Sequence, residues 1–157
     1  MKFFSAQSIK LTSVTVLLLL VMNLSWPQLT SAAVTSVVAD NATVAVGDTA
    51  IVSVKLDTQG RKPNTVEGTI TITGGAKNIT ISEFTLAGSV LSFWPKTPSL
   101  DSASKISFIG GVPGGFKGGD GLLFKIVFTA DSEGQVVFDK AEMKVYDNDG
   151  KATVLES

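Results

Sequence analysis

Apolar residues recur at every second position through most of the chain after Val34, with Thr, Ser or a charged residue between them. This alternation is typical of β-strands with one buried face, whereas an amphipathic helix repeats its apolar residues every three to four positions. The longest example is Leu122 to Thr129, and Val66 to Thr73 shows the same pattern with a hydroxyl-rich second face. No segment after residue 33 has convincing helical spacing, so the pattern predicts an all-β protein.

Turn residues divide the alternating pattern into about nine short strands. Gly47 and Asp48 separate the first two strands, which predicts a hairpin, and Pro95 is expected to end the strand that precedes it. Since the chain offers no helices to cover a sheet, each apolar face needs a second sheet, which predicts a jelly-roll or immunoglobulin-like β-sandwich. The predicted strands are Thr43–Val46, Ile51–Asp57, Val66–Thr73, Asn78–Ser82, Leu91–Trp94, Lys105–Ile109, Leu122–Thr129, Gln135–Phe138 and Ala141–Tyr146.

The first 33 residues have a different character from the rest of the chain. Lys2 and Lys10 precede an apolar run from Val14 to Leu24, and Ser31-Ala32-Ala33 places small side chains before a cleavage point. The run is too short for a hydrocarbon core that needs roughly 20 residues, so a cleaved signal peptide is favoured over a retained anchor. We therefore predict a signal peptide at 1–33, one domain at 34–157, and a secreted or cell-surface location.

The composition removes most enzyme classes. The 157 residues include no cysteine and no histidine, which excludes disulfides, zinc sites of the usual kind and every catalytic triad with an imidazole base. After loss of Lys2 and Lys10, 11 basic residues stand against 14 acidic ones, a formal charge of −3 without a basic stripe for nucleic acid. We expect a non-catalytic protein without a cofactor.

Two loops resemble ligand-binding motifs. The glycine-rich stretch Gly110–Gly121 is followed by a strand where a phosphate-binding loop requires a helix, so it is interpreted as a connection that Phe116 attaches to the core. Asp147-Asn148-Asp149-Gly150 resembles part of a calcium loop but lacks the closing glutamate, which favours a simple turn and leaves calcium binding open.

Exposed aromatic rings would favour glycan binding, because sugar rings stack on them. Trp26 lies in the predicted signal peptide, which leaves Trp94 and Tyr146 as candidates. Two side chains are too few for a stacking platform, and packing in the core is the favoured role for Trp94.

Four segments follow one another along the chain: Val46-Gly47-Asp48-Thr49, Val66-Glu67-Gly68-Thr69-Ile70, Lys105-Ile106-Ser107-Phe108 and Gly121-Leu122-Leu123-Phe124-Lys125-Ile126-Val127-Phe128. Their order and spacing resemble a cohesin domain, over about Val37 to Thr153. The resemblance implies a nine-stranded jelly-roll sandwich that binds a dockerin module in extracellular polysaccharide-degrading assemblies. The partner would then be a dockerin-like module or a polysaccharide, and the alternative is a surface or appendage component that self-associates.

One predicted binding patch follows from the alternation in the strand Leu122 to Thr129. Leu122, Phe124, Ile126 and Phe128 are expected to face the core, which leaves Leu123 and Val127 partly exposed on the other side. An apolar strip beside charge and hydroxyls is typical of a protein-binding sheet, and the resemblance places this strand beside Val66 to Thr73. The predicted partner-binding residues are Thr69, Thr71, Leu123, Lys125 and Val127. Alternatively, Leu123 and Val127 are covered and serve only folding.

We predict that the exported protein begins at Val34, because signal peptidase accepts the small side chains ending at Ala33. Intact-mass measurement of the exported chain tests this. A mass that includes Met1 to Ala33 would show that the segment is retained as an anchor.

Overall fold

Ten β-strands make up the regular structure of residues 36–155, the part of the chain that this computed structural model describes. The predicted signal peptide lies outside these residues, so its prediction stands as made. The strands are β1 Ser36–Ala39, β2 Ala42–Val44, β3 Thr49–Asp57, β4 Thr65–Gly74, β5 Thr80–Thr85, β6 Phe93–Ser102, β7 Lys105–Gly111, β8 Gly121–Thr129, β9 Gly134–Tyr146 and β10 Ala152–Leu155. Within this range, no helix is long and apolar enough to cross a membrane.

The strands form two antiparallel sheets. The smaller sheet has the order β1-β3-β8-β5, and the larger has the order β10-β9-β4-β7-β6, with β2 as its sixth strand paired to β9. Each strand turns its apolar side chains toward the opposite sheet, as the period of two requires. The predicted all-β sandwich is therefore confirmed, with one strand more than the sequence pattern indicated.

Aromatic rings fill the centre of the core. Phe124 of β8 lies edge to face with Phe108 of β7, with ring centroids 4.9 Å apart, and these two strands belong to different sheets. Trp94 and Phe84 also present their rings to Phe124, at 6.4 and 6.3 Å. Trp94 packs against the core over Gly110, so the expectation that it serves packing is confirmed.

A β-bulge in β8 changes which leucine is buried. Val54 of β3 pairs with Phe124, but the next residue, Lys55, pairs with Leu122, so Leu123 is the extra residue. A bulge interrupts the alternation of side chains, and Leu123 and Phe124 are both fully buried while Leu122 is only half-buried. The prediction that Leu122 faces the core and Leu123 faces outward is therefore wrong.

Two other predictions about the strands are corrected by the sheet order. The segment around Thr43 does not form a hairpin with β3, because β2 pairs with β9 in the other sheet. The strand that was expected to end at Pro95 continues to Ser102 as β6, through Pro98. Since β6 is an edge strand, it tolerates residues that have no N–H to donate.

The glycine-rich loop is attached to the domain as predicted. Phe116 packs against the core, and its backbone N–H donates to the carbonyl of Pro63 at 2.9 Å. A Cβ atom at Gly118 or Gly121 would clash with the Phe116 ring, so these glycines make room for it. The buried Thr58 further ties the loop to the domain through hydrogen bonds with the backbone of Gly118.

The bulge predicts unequal costs for two truncations in β8. Leu123→Ala should lower the free energy of unfolding by about 2–5 kcal/mol, because it leaves a cavity at a fully buried position. Val127→Ala, at a half-buried outward position, should cost about 1 kcal/mol or less. Chemical denaturation of both variants measures the difference. Equal small losses would contradict the burial of Leu123.

Candidate partner-binding face

The outer face of the larger sheet is the side of β4, β7 and β9 that points away from the core. On these strands, inward-facing side chains such as Val66, Ile70 and Phe108 are buried, and the side chains that alternate with them point outward. We call this surface the outer face. Its outward residues are Glu67, Thr69, Thr71 and Thr73 on β4, Lys105, Ser107 and Ile109 on β7, and Asp139, Glu142, Lys144 and Tyr146 on β9.

The strand register arranges these side chains in rows across the face, with β4 in the middle. Glu67 lies opposite Lys144 on one side and Ile109 on the other. Thr69 lies between Glu142 and Ser107, and the next row places Thr71 between Asp139 and Lys105. Read from β9 across β4 to β7, the three rows are Lys144–Glu67–Ile109, Glu142–Thr69–Ser107 and Asp139–Thr71–Lys105.

A small polar network occupies one end of the face. The hydroxyl of Tyr146 donates to Glu67 Oε1 at 2.8 Å, and Lys144 Nζ lies 3.4 Å from the same oxygen. The hydrogen bond to Glu67 raises the pKa of Tyr146 above its ordinary value, with burial and the negative charge of Glu67 acting in the same direction. The network holds the Glu67 side chain in place.

A second network reaches the face from the edge strand β6. The ammonium group of Lys96 donates to Ser107 Oγ and to Asp101 Oδ1, the latter at 3.1 Å. A hydrogen bond from Ser107, and to a lesser extent one from Lys96, holds the pKa of Asp101 below its ordinary value. Because Lys96 covers it, Ser107 is only 9% exposed although it points away from the core.

A shallow depression of about 250 Å³ lies between these networks. Its floor includes Gly68, where a Cβ atom would clash with the side chain of Met143 beneath it. The surrounding side chains include Glu67, Thr69, Lys96, Ser107, Ile109 and Glu142. The depression therefore combines hydroxyls, both signs of charge and one aliphatic side chain, a mixture suited to a polar protein interface.

The five residues predicted to bind a partner do not form one patch. Thr69 and Thr71 point outward from β4 in the larger sheet, whereas Lys125 and Val127 point outward from β8 in the smaller sheet. The two sheets pack face to face, so their outward sides are on opposite surfaces of the sandwich. Leu123 is buried and belongs to the core. The prediction of a single patch is wrong, and the pair on β4 and the pair on β8 remain as alternative binding locations on opposite surfaces.

Sequence reasoning missed the charged residues that complete the outer face. Lys96 follows Pro95, where the sequence predicts the end of a strand, and Glu142, Lys144 and Ser107 lie on predicted strands whose neighbours the sequence does not reveal. The alternation in Lys105–Ile109 did show that Ser107 and Ile109 share a side. Pairing of that side with Thr69 could not be derived from it, because the residues are far apart along the chain.

The turn that resembles a calcium loop is occupied by basic side chains. Arg61 forms an ion pair with Asp147, and Lys151 Nζ lies 3.2 Å from Asp149 Oδ2. The backbone N–H of Lys151 and its ammonium group hold the pKa of Asp149 below its ordinary value. Among residues 36–155, no group of three or more metal-ligating side chains comes together.

Solved cohesin structures match the chain over most of its length. The sixth cohesin of scaffoldin B from Acetivibrio cellulolyticus, in complex with a mutant Cel5 dockerin, has a TM-score of 0.61 at 16% identity, covering 78% of this chain and 93% of that one. A non-cellulosomal cohesin from Archaeoglobus fulgidus has a TM-score of 0.63 at 18% identity, covering 80% and 93%. The chain has the cohesin fold.

A third match is the OlpA cohesin in a type I cohesin–dockerin complex from Clostridium thermocellum, with a TM-score of 0.58 at 14% identity, covering 78% of this chain and 93% of that one. No protein-family model and no curated protein sequence matches the chain. The resemblance noted from the sequence is thus confirmed at the level of the cohesin fold, through structure and not through sequence identity.

The tyrosine network predicts a measurable titration. Tyr146 is the single tyrosine of the chain, so absorbance near 295 nm follows its ionisation alone. Its pKa should lie above the ordinary value of about 10, and Glu67→Ala should lower it, because the variant removes both the hydrogen-bond acceptor and the negative charge. Glu142→Ala, which removes a carboxylate from the same face, is the control and should leave the titration unchanged. A Tyr146 pKa unaffected by Glu67→Ala would contradict the network.

Proposed function

We propose that this chain is a non-catalytic binding module that takes a dockerin-like protein partner on the outer face of its larger sheet. The main support is the depression in that face, which residues of four strands line with hydroxyls and charges. Two of the similar cohesin structures are complexes with dockerins, which supports this class of partner. The predicted secreted or cell-surface location is part of the same proposal.

The edges of the two sheets give less support to self-association than the outer face gives to binding of a protein partner. Strands that add to another molecule need an edge with free N–H and C=O groups. The β6 edge contains Pro95 and Pro98, and the opposite edge, β10, spans only Ala152–Leu155. In the smaller sheet, the β5 edge has an irregular register between Ile81 and Glu83. Prolines, short length and bulges are features that limit edge-to-edge pairing.

Direct polysaccharide binding also has less support than protein binding. Flat glycan sites rely on exposed aromatic rings, but Trp94 packs over Gly110 and the Tyr146 hydroxyl is engaged by Glu67. Within residues 36–155, Phe93 is the one strongly exposed aromatic ring, at 64%. A single ring offers little stacking surface for a polymer.

We propose that the domain is not an enzyme, because the side chains of the same depression do not form a catalytic group. It contains two carboxylates, but Glu67 is engaged by Tyr146 and Lys144. Histidine and cysteine are missing from the chain, so the usual bases and nucleophiles of hydrolases are not available beside them. The mixed charges of the depression are better explained by recognition of a protein surface.

Substitutions on the two outward surfaces test the location of the binding site. Thr69→Arg with Thr71→Arg places two large charged side chains on the central strand of the larger sheet. It should weaken binding to a dockerin that the wild-type domain captures by at least about tenfold, since a central contact typically contributes more than about 1.4 kcal/mol. Isothermal titration calorimetry measures the affinity.

Val127→Arg with Thr129→Arg is the matched control, because it adds the same charges to outward positions of β8, a central strand of the smaller sheet. Its affinity should equal that of the wild-type domain. Loss of binding in this control alone would move the site to the smaller sheet. Failure of the wild-type domain to bind any member of a broad dockerin panel would overturn the proposed function.

A further inference from the structure

Acidic and basic residues are separated on the outer face. The β9 side carries Glu142 and Asp139, both exposed, beside Lys144, whose ammonium group is paired with Glu67, and the β7 side carries the exposed Lys105. Thr69 and Thr71 lie between the two sides on β4. Lys140 pairs with Ile70 at the bulge that Ala141 forms in β9, and it forms no ion pair within residues 36–155.

The charges on the two flanks are available to a partner. Glu142 and Lys105 form no ion pair within residues 36–155, and Asp139 accepts a hydrogen bond only from the neutral hydroxyl of Thr73, at 3.1 Å. The flanks lie two strands apart, about 10 Å at the usual strand spacing, which is too far for direct pairing across the face. By contrast, the charges of Glu67 and Lys96 are already paired within the domain.

We infer that the partner's docking element lies along β4, with basic side chains toward β9 and acidic side chains toward β7. This inference rests on the proposed function and adds the charge pattern of the partner. Small or hydroxylated side chains at the centre of that element fit above the hydroxyls of Thr69 and Thr71. A docking element of uniform charge would be repelled on one flank.

The separation of charge also selects one orientation of the partner. An element turned by 180° in the plane of the face would bring its basic side to Lys105 and its acidic side to Glu142 and Asp139. Like charges brought together at an interface oppose the wrong docking mode, and complementary charges determine the register. The domain therefore accepts its partner in a single orientation.

A charge swap at constant net charge tests the inference. Lys105→Glu combined with Glu142→Lys reverses one charge on each flank without changing the total charge or the hydroxyls between them, while Asp139 keeps its negative charge on the β9 side. Affinity is measured at low and at physiological salt against a dockerin that the wild-type domain captures. We expect the swap to weaken binding by about tenfold or more at low salt, and by less at higher salt, because ions screen exposed charges.

A matched swap on the smaller sheet is the control. Glu83 and Lys125 occupy neighbouring outward rows of β5 and β8, so Glu83→Lys with Lys125→Glu makes the same exchange on the opposite surface. It should bind as the wild-type domain does. If the outer-face swap impairs folding, seen as a lower thermal midpoint, Lys105→Gln and Glu142→Gln serve instead, each with an expected loss of a few-fold.

The outcomes separate the two proposals. Unchanged affinity in the swapped domain, together with lost binding in Thr69→Arg/Thr71→Arg, would overturn the charge pattern while the proposed function stands. Weaker binding in the swapped domain and unchanged binding in its control would support both. Absence of dockerin binding by the wild-type domain would overturn the proposed function and this inference with it.

Discussion

The contact between Phe124 and Phe108 joins the two sheets at the centre of the core. One ring comes from β8 of the smaller sheet and the other from β7 of the larger, and their edge-to-face arrangement at 4.9 Å is one that aromatic pairs favour. Side chains alternate along β7, which pairs with β4 without a shift in register, so burial of Phe108 directs its neighbours Ser107 and Ile109 to the outer face. On β8, the bulge instead places Leu123 beside Phe124 in the core. The outer face is thus a consequence of how the core is packed.

Alternation in the sequence correctly predicted the strands of the sandwich and many of their outward side chains. Where the predicted side-chain direction is wrong, the error has a specific physical cause. Val66 to Thr73 alternates apolar residues with hydroxyls, so the outward position of Thr69 and Thr71 could be derived without a structure. The start of β8 offers two adjacent leucines, and either can face the core as far as hydrophobicity is concerned. The bulge opposite Val54 decides between them, and it depends on pairing with a strand far away in sequence.

The candidate site was harder to predict than the fold, because it is assembled from strand neighbours. Thr69 meets Ser107 on one side and Glu142 on the other, and no local pattern reveals either partner. The predicted patch joined Thr69 to Val127 because the resemblance to cohesins was taken to place their strands side by side, whereas β4 and β8 belong to different sheets. Alternation shows that a residue points outward, but it does not show from which sheet, and in a sandwich that difference separates opposite surfaces.

The low sequence identity to the cohesins that share this fold is understandable from the same division between inner and outer positions. Inward positions require apolar side chains that fill the space between the sheets, and many combinations do this. Outward positions such as Lys105 and Glu142 contribute little to stability, so their charges can differ without loss of the fold. A shared fold at 14–18% identity therefore carries little information about which partner is bound. In the proposed function, that choice depends on the separated charges and central hydroxyls of this chain's own outer face.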